Sequence, residues 1–266
     1  MLLRNRTAIV YGGGGAIGGA VARKFGAEGA RVFLAGRTRS KMDAVAKSIT
    51  ASGGSAEVAE VDALDARQIE EHADGVAARV GRIDIAFNAI GLPHVQGTPL
   101  QELSFEELSA PLVGYAKSNF LTAKAVARHM VKRRSGVLLM ISTPGSKLAF
   151  GAGFIGIGAA NATVEVMTRH LAGELGPSGI RVVCLRPDAT PETLERGSHA
   201  REVFGGVAKR NGASAEDMLA GAKERTLLKR FPKLEEIASA AAFAASDGAG
   251  AMTGAIMNLT CGTLVD

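Results

Sequence analysis

The sequence predicts a doubly wound α/β domain, a parallel sheet with helices packed on both of its faces. Three observations predict it. Short, almost wholly apolar runs alternate with helical patterns along the chain, as strands buried on both faces require. The first of these runs passes through four consecutive glycines into a helical pattern. The length of 266 residues suits one α/β domain, which often reaches about 250.

Taken in order, residues 7–11 (TAIVY) form the first strand-like run. After the glycines, residues 16–28 carry Ile17, Val21 and Phe25 at helical spacing. Residues 31–35 read as a second strand and 40–51 as a helix. Residues 56–61, 83–88, 136–141 and 181–185 read as further strands, with helical stretches between them. Residues 188–228 are polar and charged and lie beyond a strand end, the edge at which α/β sheets bind ligands. They are expected to form a substrate lid inserted into a single domain spanning residues 1–266. There is no internal repeat and no low-complexity linker.

Composition narrows the function. With 47% hydrophobic and 21% charged residues, the chain is neither disordered nor a solvating tail. No apolar run approaches the ~18 residues of a membrane span, and the start, MLLRNRTAIVYGG, has no export-signal pattern. Cys184 and Cys261 are too few for a disulfide framework. A cytoplasmic protein is expected. The net charge of +5 comes from basic residues spread along the chain, and with no tryptophan and two tyrosines a base-stacking surface is not expected. Neither nucleic acid nor membrane is expected as a partner, and no metal is expected.

The turn Gly12-Gly13-Gly14-Gly15-Ala16-Ile17-Gly18 joins the first strand to the first helix. Glycines allow backbone N–H groups to approach a pyrophosphate, and a helix N-terminus carries about half a positive charge. In that position the turn predicts a dinucleotide cofactor; the alternative is a loop of glycines with no ligand. The second strand ends in Ala35-Gly36-Arg37-Thr38-Arg39, without the carboxylate that would accept hydrogen bonds from the ribose of NAD. Arg37 suits a 2′-phosphate, with Thr38 adding a hydroxyl; the plainer reading of Arg37 is a solvated residue at a helix start. NADP(H) is therefore favoured over NAD(H).

With these residues placed, the chain resembles the short-chain dehydrogenase/reductase family over essentially its full length. The glycine turn resembles that family's TGxxxGxG, with Tyr11 at the threonine and Ala16 at the second glycine. Val61-Asp62-Ala63-Leu64-Asp65 resembles its adenine-contacting segment, although Asp65 with Gln68 also fits a helix cap. Asn88-Ala89-Ile90-Gly91 resembles NNAG. Leu228-Lys229-Arg230-Phe231, Glu235-Glu236-Ile237-Ala238, Ser246-Asp247 and Thr253-Gly254 follow the C-terminal pattern in order. The resemblance implies a Rossmann-type fold and a homodimer or homotetramer built on the helices that carry Tyr115 and Asn161. It also implies a cofactor site made of Gly12, Gly14, Gly15, Ile17, Gly18, Arg37, Thr38, Asp62, Ala63, Asn88, Ala89, Asn161 and Pro187.

The resemblance breaks at the chemistry. The family uses a tyrosine and, four residues on, a lysine on one helix face for proton transfer. Here Ile157 and Asn161 occupy those positions, and no tyrosine or lysine lies between Phe150 and Glu174. Thr143 takes the place of the serine that holds the substrate oxygen, and Tyr115 that of the family's helix asparagine. Three readings follow. In one, the protein is an oxidoreductase acting on a small-molecule carbonyl or alcohol, with Tyr115 as a rearranged proton donor and Lys147 or His94 as its partner. In another, it is a redox-inactive NADP(H)-binding regulator or partner subunit. In a third, it is a lyase or isomerase using Asp188 and His94. Each of these side chains also has a plain structural reading as a core, turn or surface residue.

Overall fold

All five residues of the first strand, β1 (Thr7–Tyr11), are buried. Because neighbours on a strand point to opposite faces, Ala8 and Val10 enter one core layer and Ile9 and Tyr11 the other. This double burial is why the strand reads as an unbroken apolar run. In a computed structural model describing residues 1–196, 200–210 and 212–266, six more strands join it. They are β2 (Arg31–Gly36), β3 (Ser55–Glu60), β4 (Ile85–Asn88), β5 (Gly136–Ile141), β6 (Ile180–Pro187) and β7 (Ala255–Leu259). Their order is β3-β2-β1-β4-β5-β6-β7, and every pairing is parallel. The predicted doubly wound sheet is the fold of this protein.

One face packs on α1 (Ala16–Ala27) and α2 (Arg39–Ala51), through side chains such as Phe25, Met42 and Ile49. The other packs on α3 (Ala66–Val80), α4 (Phe105–Arg133) and α5 (Ile155–Leu175), through Ile69, Met130 and Val164. The Asp65 side chain accepts from the Gln68 amide and caps α3. Ser104 and Glu107 form a reciprocal capping box at the start of α4. No helix among the described residues is long and apolar enough to cross a membrane.

One element differs from the sequence-based expectation. Strand β7 was not foreseen: its five residues include the polar Asn258 and are mostly half-buried, so they carry no clear pattern. Its ladder with β6, from Val183↔Ala255 to Pro187↔Leu259, defines it. The described part of the region 188–228 is largely helical. It folds into α6 (Glu192–Glu195), α7 (Ala200–Arg210) and α8 (Ala215–Lys223), with Leu194, Leu219 and Phe231 packed in a small core of their own. Within it, residues 197–199 and 211 lie outside the described residues. The last helix, α9 (Leu234–Ala245), returns the chain to the first face through Ala238, Ala241 and Ala245. The strand order reverses between β1 and β4, so a crevice opens at their carboxyl ends.

Candidate active site

The crevice begins at the glycine turn. Gly12 has φ +79° and donates to the Ala35 carbonyl at 2.8 Å. A Cβ on Gly12 would stand 2.5 Å from the Ala89 carbonyl oxygen, and one on Gly18 would stand 2.3 Å from the Gly12 carbonyl oxygen. Backbone packing thus requires both glycines, and the left-handed conformation requires Gly12 as well. Helix α1 follows Gly15 as its N-cap, with no side-chain cap and no acidic residue in its first turn. Its first N–H groups are oriented for an anion, as helix N-termini commonly are. These features form a cradle that fits a dinucleotide pyrophosphate.

A cleft of about 1050 Å3 runs outward from this cradle. Gly12, Gly14, Gly15, Ile17 and Gly18 line it on one side. Arg37 and Thr38, just beyond β2, line its mouth and are exposed. Lys41, which the sequence reading passed over, lines it beside them. Asp62 and Ala63 follow β3 and also face the cleft, and the Asp62 carboxylate is held by the Leu64 amide at 2.9 Å. Ala89 lines the floor. Asn88 does not: its amide donates to Thr122 Oγ1 at 3.0 Å, and its side-chain oxygen accepts from the Ile90 amide at 3.1 Å. It braces the end of β4 from behind the cleft.

The far end of the cleft brings together Thr143, Tyr115, Ile157, Asn161 and Pro187, residues contributed by β6, α4, α5 and the turn after β5. Ile157 and Asn161 are buried, and the Asn161 amide donates to the Ile157 carbonyl at 2.8 Å. Tyr115 Oη accepts from the Leu92 amide at 3.4 Å. Burial pushes its phenol above the ordinary tyrosine value, and the Leu92 bond only partly opposes this. No cation offsets the burial, so Tyr115 is a neutral hydrogen-bond donor at neutral pH. His94 lies edge-on to it, with ring centroids 6.4 Å apart. Its Nδ1 meets the Leu92 carbonyl at 2.8 Å and its Nε2 meets Gln96 at 2.7 Å. Burial lowers its pKa despite the Leu92 bond, so its imidazole is neutral.

Lys147 is no partner for Tyr115. Its Nζ pairs with Asp266 at 2.6 Å, and it stands outside the cleft lining. Asp188 does line the cleft. It accepts from the Thr263 hydroxyl and, at 2.7 Å, from the Ala189 amide. Burial raises its pKa against these bonds and against Arg225.

A second set of residues went unrecognised in the sequence. Glu165 on α5 accepts from Ser142 Oγ at 2.8 Å, Ser146 Oγ at 2.6 Å, Arg186 Nε at 2.8 Å and Arg186 Nη2 at 3.1 Å. Arg186 also holds both carboxylate oxygens of Asp266, at 2.8 and 2.9 Å. This network grips the turn on which Thr143 sits, from both sides of that residue. The signal was present as an arginine at the end of the apolar run IRVVCLRP and a glutamate in a helix of small residues. Only the fold pairs them.

A family described as Enoyl-(Acyl carrier protein) reductase matches residues 14–263. The chain is 28% identical over 255 residues to D-threitol dehydrogenase of Mycolicibacterium smegmatis, covering 95% of this chain and 90% of that protein. It is 31% identical over 254 residues to tropinone reductase-like 2 of Erythroxylum coca, covering 95% and 88%. Among solved structures, a putative short-chain dehydrogenase/reductase from Burkholderia xenovorans superposes with a TM-score of 0.87 at 27% identity, covering 99% of each chain.

Proposed function

Because this chain belongs to the short-chain dehydrogenase/reductase family, and its relatives include D-threitol dehydrogenase and meso-2,3-butanediol dehydrogenase, we propose that it is an NADP(H)-dependent oxidoreductase acting on a carbonyl or alcohol carbon of a small molecule. One observation carries the reading. A single cleft joins the glycine cradle and the cations Arg37 and Lys41 at one end to Thr143, Tyr115 and Asn161 at the other.

In this reading Gly12, Gly14, Gly15 and the start of α1 hold the pyrophosphate. Arg37, Thr38 and Lys41 take the 2′-phosphate, and Asp62 and Ala63 border the adenine. Asn161 and Pro187 flank the nicotinamide side. When bound, the cofactor supplies or accepts the hydride. Thr143 and Tyr115 hold the substrate oxygen by their hydroxyls, and in reduction Tyr115 gives that oxygen a proton which solvent then replaces. Ile157 has no proton to give. The helices of 188–228 close over the substrate as a lid.

Titration of the purified protein with NADPH and, separately, NADH tests the cofactor assignment. NADPH is expected to bind about 10–100-fold more tightly, the value of a charge-assisted hydrogen bond pair. Arg37→Ala is expected to remove most of that difference while leaving NADH affinity unchanged. Equal affinities would overturn the preference for NADP(H), and no binding of either would overturn the cofactor reading itself.

A redox-silent NADP(H)-binding role is the second reading, and a specific observation favours it. The two positions that would form the family's proton-transfer pair are a buried hydrocarbon and an asparagine whose amide is bonded to its own helix. We also propose a homodimer or homotetramer built on α4 and α5, which expose Val113, Phe120, Ile155 and Val166. Light scattering on the purified protein is expected to give two or four chain masses; a single chain mass would overturn this.

A further inference from the structure

We infer that the substrate is a bulky, largely apolar ketone, or the corresponding secondary alcohol, with a ring system and a single reacting oxygen, rather than a polyol or short diol. The inference deepens the oxidoreductase reading and rests on it.

The substrate end of the cleft has apolar walls from three separate parts of the chain. Leu92 comes from the segment after β4, Phe150 and Phe154 from the segment before α5, and Phe204, Val207 and Leu219 from the helices of 188–228. The rings of Phe150 and Phe154 tilt against each other with centroids 5.7 Å apart. Ile157 extends this hydrocarbon surface to the reaction centre. Aromatic walls of this kind favour flat or cyclic apolar groups.

Charged side chains at this end, Glu202, Arg210 and Arg225, are exposed, and several of the other polar side chains are already committed to the protein. Thr190 Oγ1 donates to the Asp188 carbonyl at 3.2 Å, and Thr193 Oγ1 donates to the Thr190 carbonyl at 2.7 Å. The Asp188 carboxylate takes the Thr263 hydroxyl and the Ala189 amide. His94 is bonded to the Leu92 carbonyl and to Gln96, and the Asn161 amide to Ile157. Of the hydroxyls lining this end beside Ile157, those of Thr143 and Tyr115 remain as donors. A polyol entering this space would exchange several hydrogen bonds with water for few with the protein, and each unmatched hydroxyl would lower its affinity. A ketone needs only these hydroxyls for its single oxygen, and its apolar body gains about 3–4-fold in affinity for each buried methylene.

The test uses the full-length protein saturated with NADP+, in which a ketone binds without turnover. Calorimetry compares acetone, cyclohexanone, 2-acetonaphthone and D-threitol. Affinity is expected to rise along the three ketones, with 2-acetonaphthone at least 100-fold tighter than acetone and D-threitol showing no saturable binding. Phe154→Ser is expected to weaken 2-acetonaphthone about 10-fold without changing NADP+ affinity, and Phe150→Ser serves the same purpose if the first variant folds poorly. Saturable D-threitol binding, or ketone affinities that do not rise with apolar size, would overturn this inference while measured NADP+ binding leaves the cofactor reading standing. Absence of NADP+ binding would overturn that reading instead.

Discussion

Replacing Glu165 by alanine should destabilise the protein by about 3 kcal/mol, the low end of the range for breaking a buried pair, because it removes the buried one of the two carboxylates on the Arg186 guanidinium and leaves only the part-exposed Asp266. Glu165 is 3% and Arg186 1% exposed, so water cannot replace the lost partner. The same substitution frees the hydroxyls of Ser142 and Ser146, which hold the turn carrying Thr143. A urea unfolding curve at pH 7 measures the loss. Glu165→Leu combined with Arg186→Met provides the control. Removing both charges together should restore most of the stability, since a buried pair is often no better than an apolar replacement of similar volume. A loss below about 1 kcal/mol in Glu165→Ala would mean that the pair contributes no more than an exposed one.

The same network sets an acid limit. Burial alone would raise the Glu165 carboxyl, but hydrogen bonds from Arg186, Ser146 and Ser142 outweigh it and hold the group below its usual value. Lys147 and Arg186 hold the Asp266 carboxyl down at about 2. A carboxyl whose folded pKa is depressed contributes stability that is complete above its unfolded value, near 4, and is lost as pH falls towards the folded value. The melting temperature should therefore fall between about pH 4.5 and 2, and the Leu/Met double variant should show a shallower fall over that window. Parallel acid limbs in the two proteins would place the acid sensitivity elsewhere.

Tyr115→Phe should lower turnover of a ketone substrate by about 100-fold or more, the range of a lost general acid, while NADPH affinity stays within twofold. Only the hydroxyl is removed, and among the described residues its hydrogen bond is the long one from the Leu92 amide. Fold and cofactor site should be untouched. Because burial raises the phenol's pKa, the group keeps its proton throughout the neutral range. Burial likewise holds His94 neutral there. The rate should be flat from about pH 7 to 10 and fall only above that. Unchanged turnover in the variant would remove Tyr115 from the mechanism. NADPH binding without turnover of any carbonyl by the unaltered protein would favour the redox-silent reading, in which Ile157 and Asn161 mark a site that has lost its proton transfer.

The sequence alone determined the layers of this protein and one end of its cleft. A strand buried on both faces must be apolar at every position, so β1, β4 and β5 announce themselves by composition. A turn that lets one backbone approach another needs glycine, so Gly12 and Gly18 can be read before any coordinates exist. Arg37 could be placed at the mouth of the cleft because its position follows directly from the end of β2. Tertiary structure decided the rest, because the rest depends on contacts between residues far apart in the chain. Strand β7 is defined by its ladder with β6, some seventy residues earlier. Asn88, which its motif suggested for the cleft, turns to Thr122 across the interface with α4. Glu165 and Arg186 read separately as two misplaced charges, and only the packing of α5 against β6 joins them into one network. The aromatic wall is likewise gathered from segments around residues 92, 150 and 204. Local periodicity records which face of an element is buried, but not which partner that face will meet.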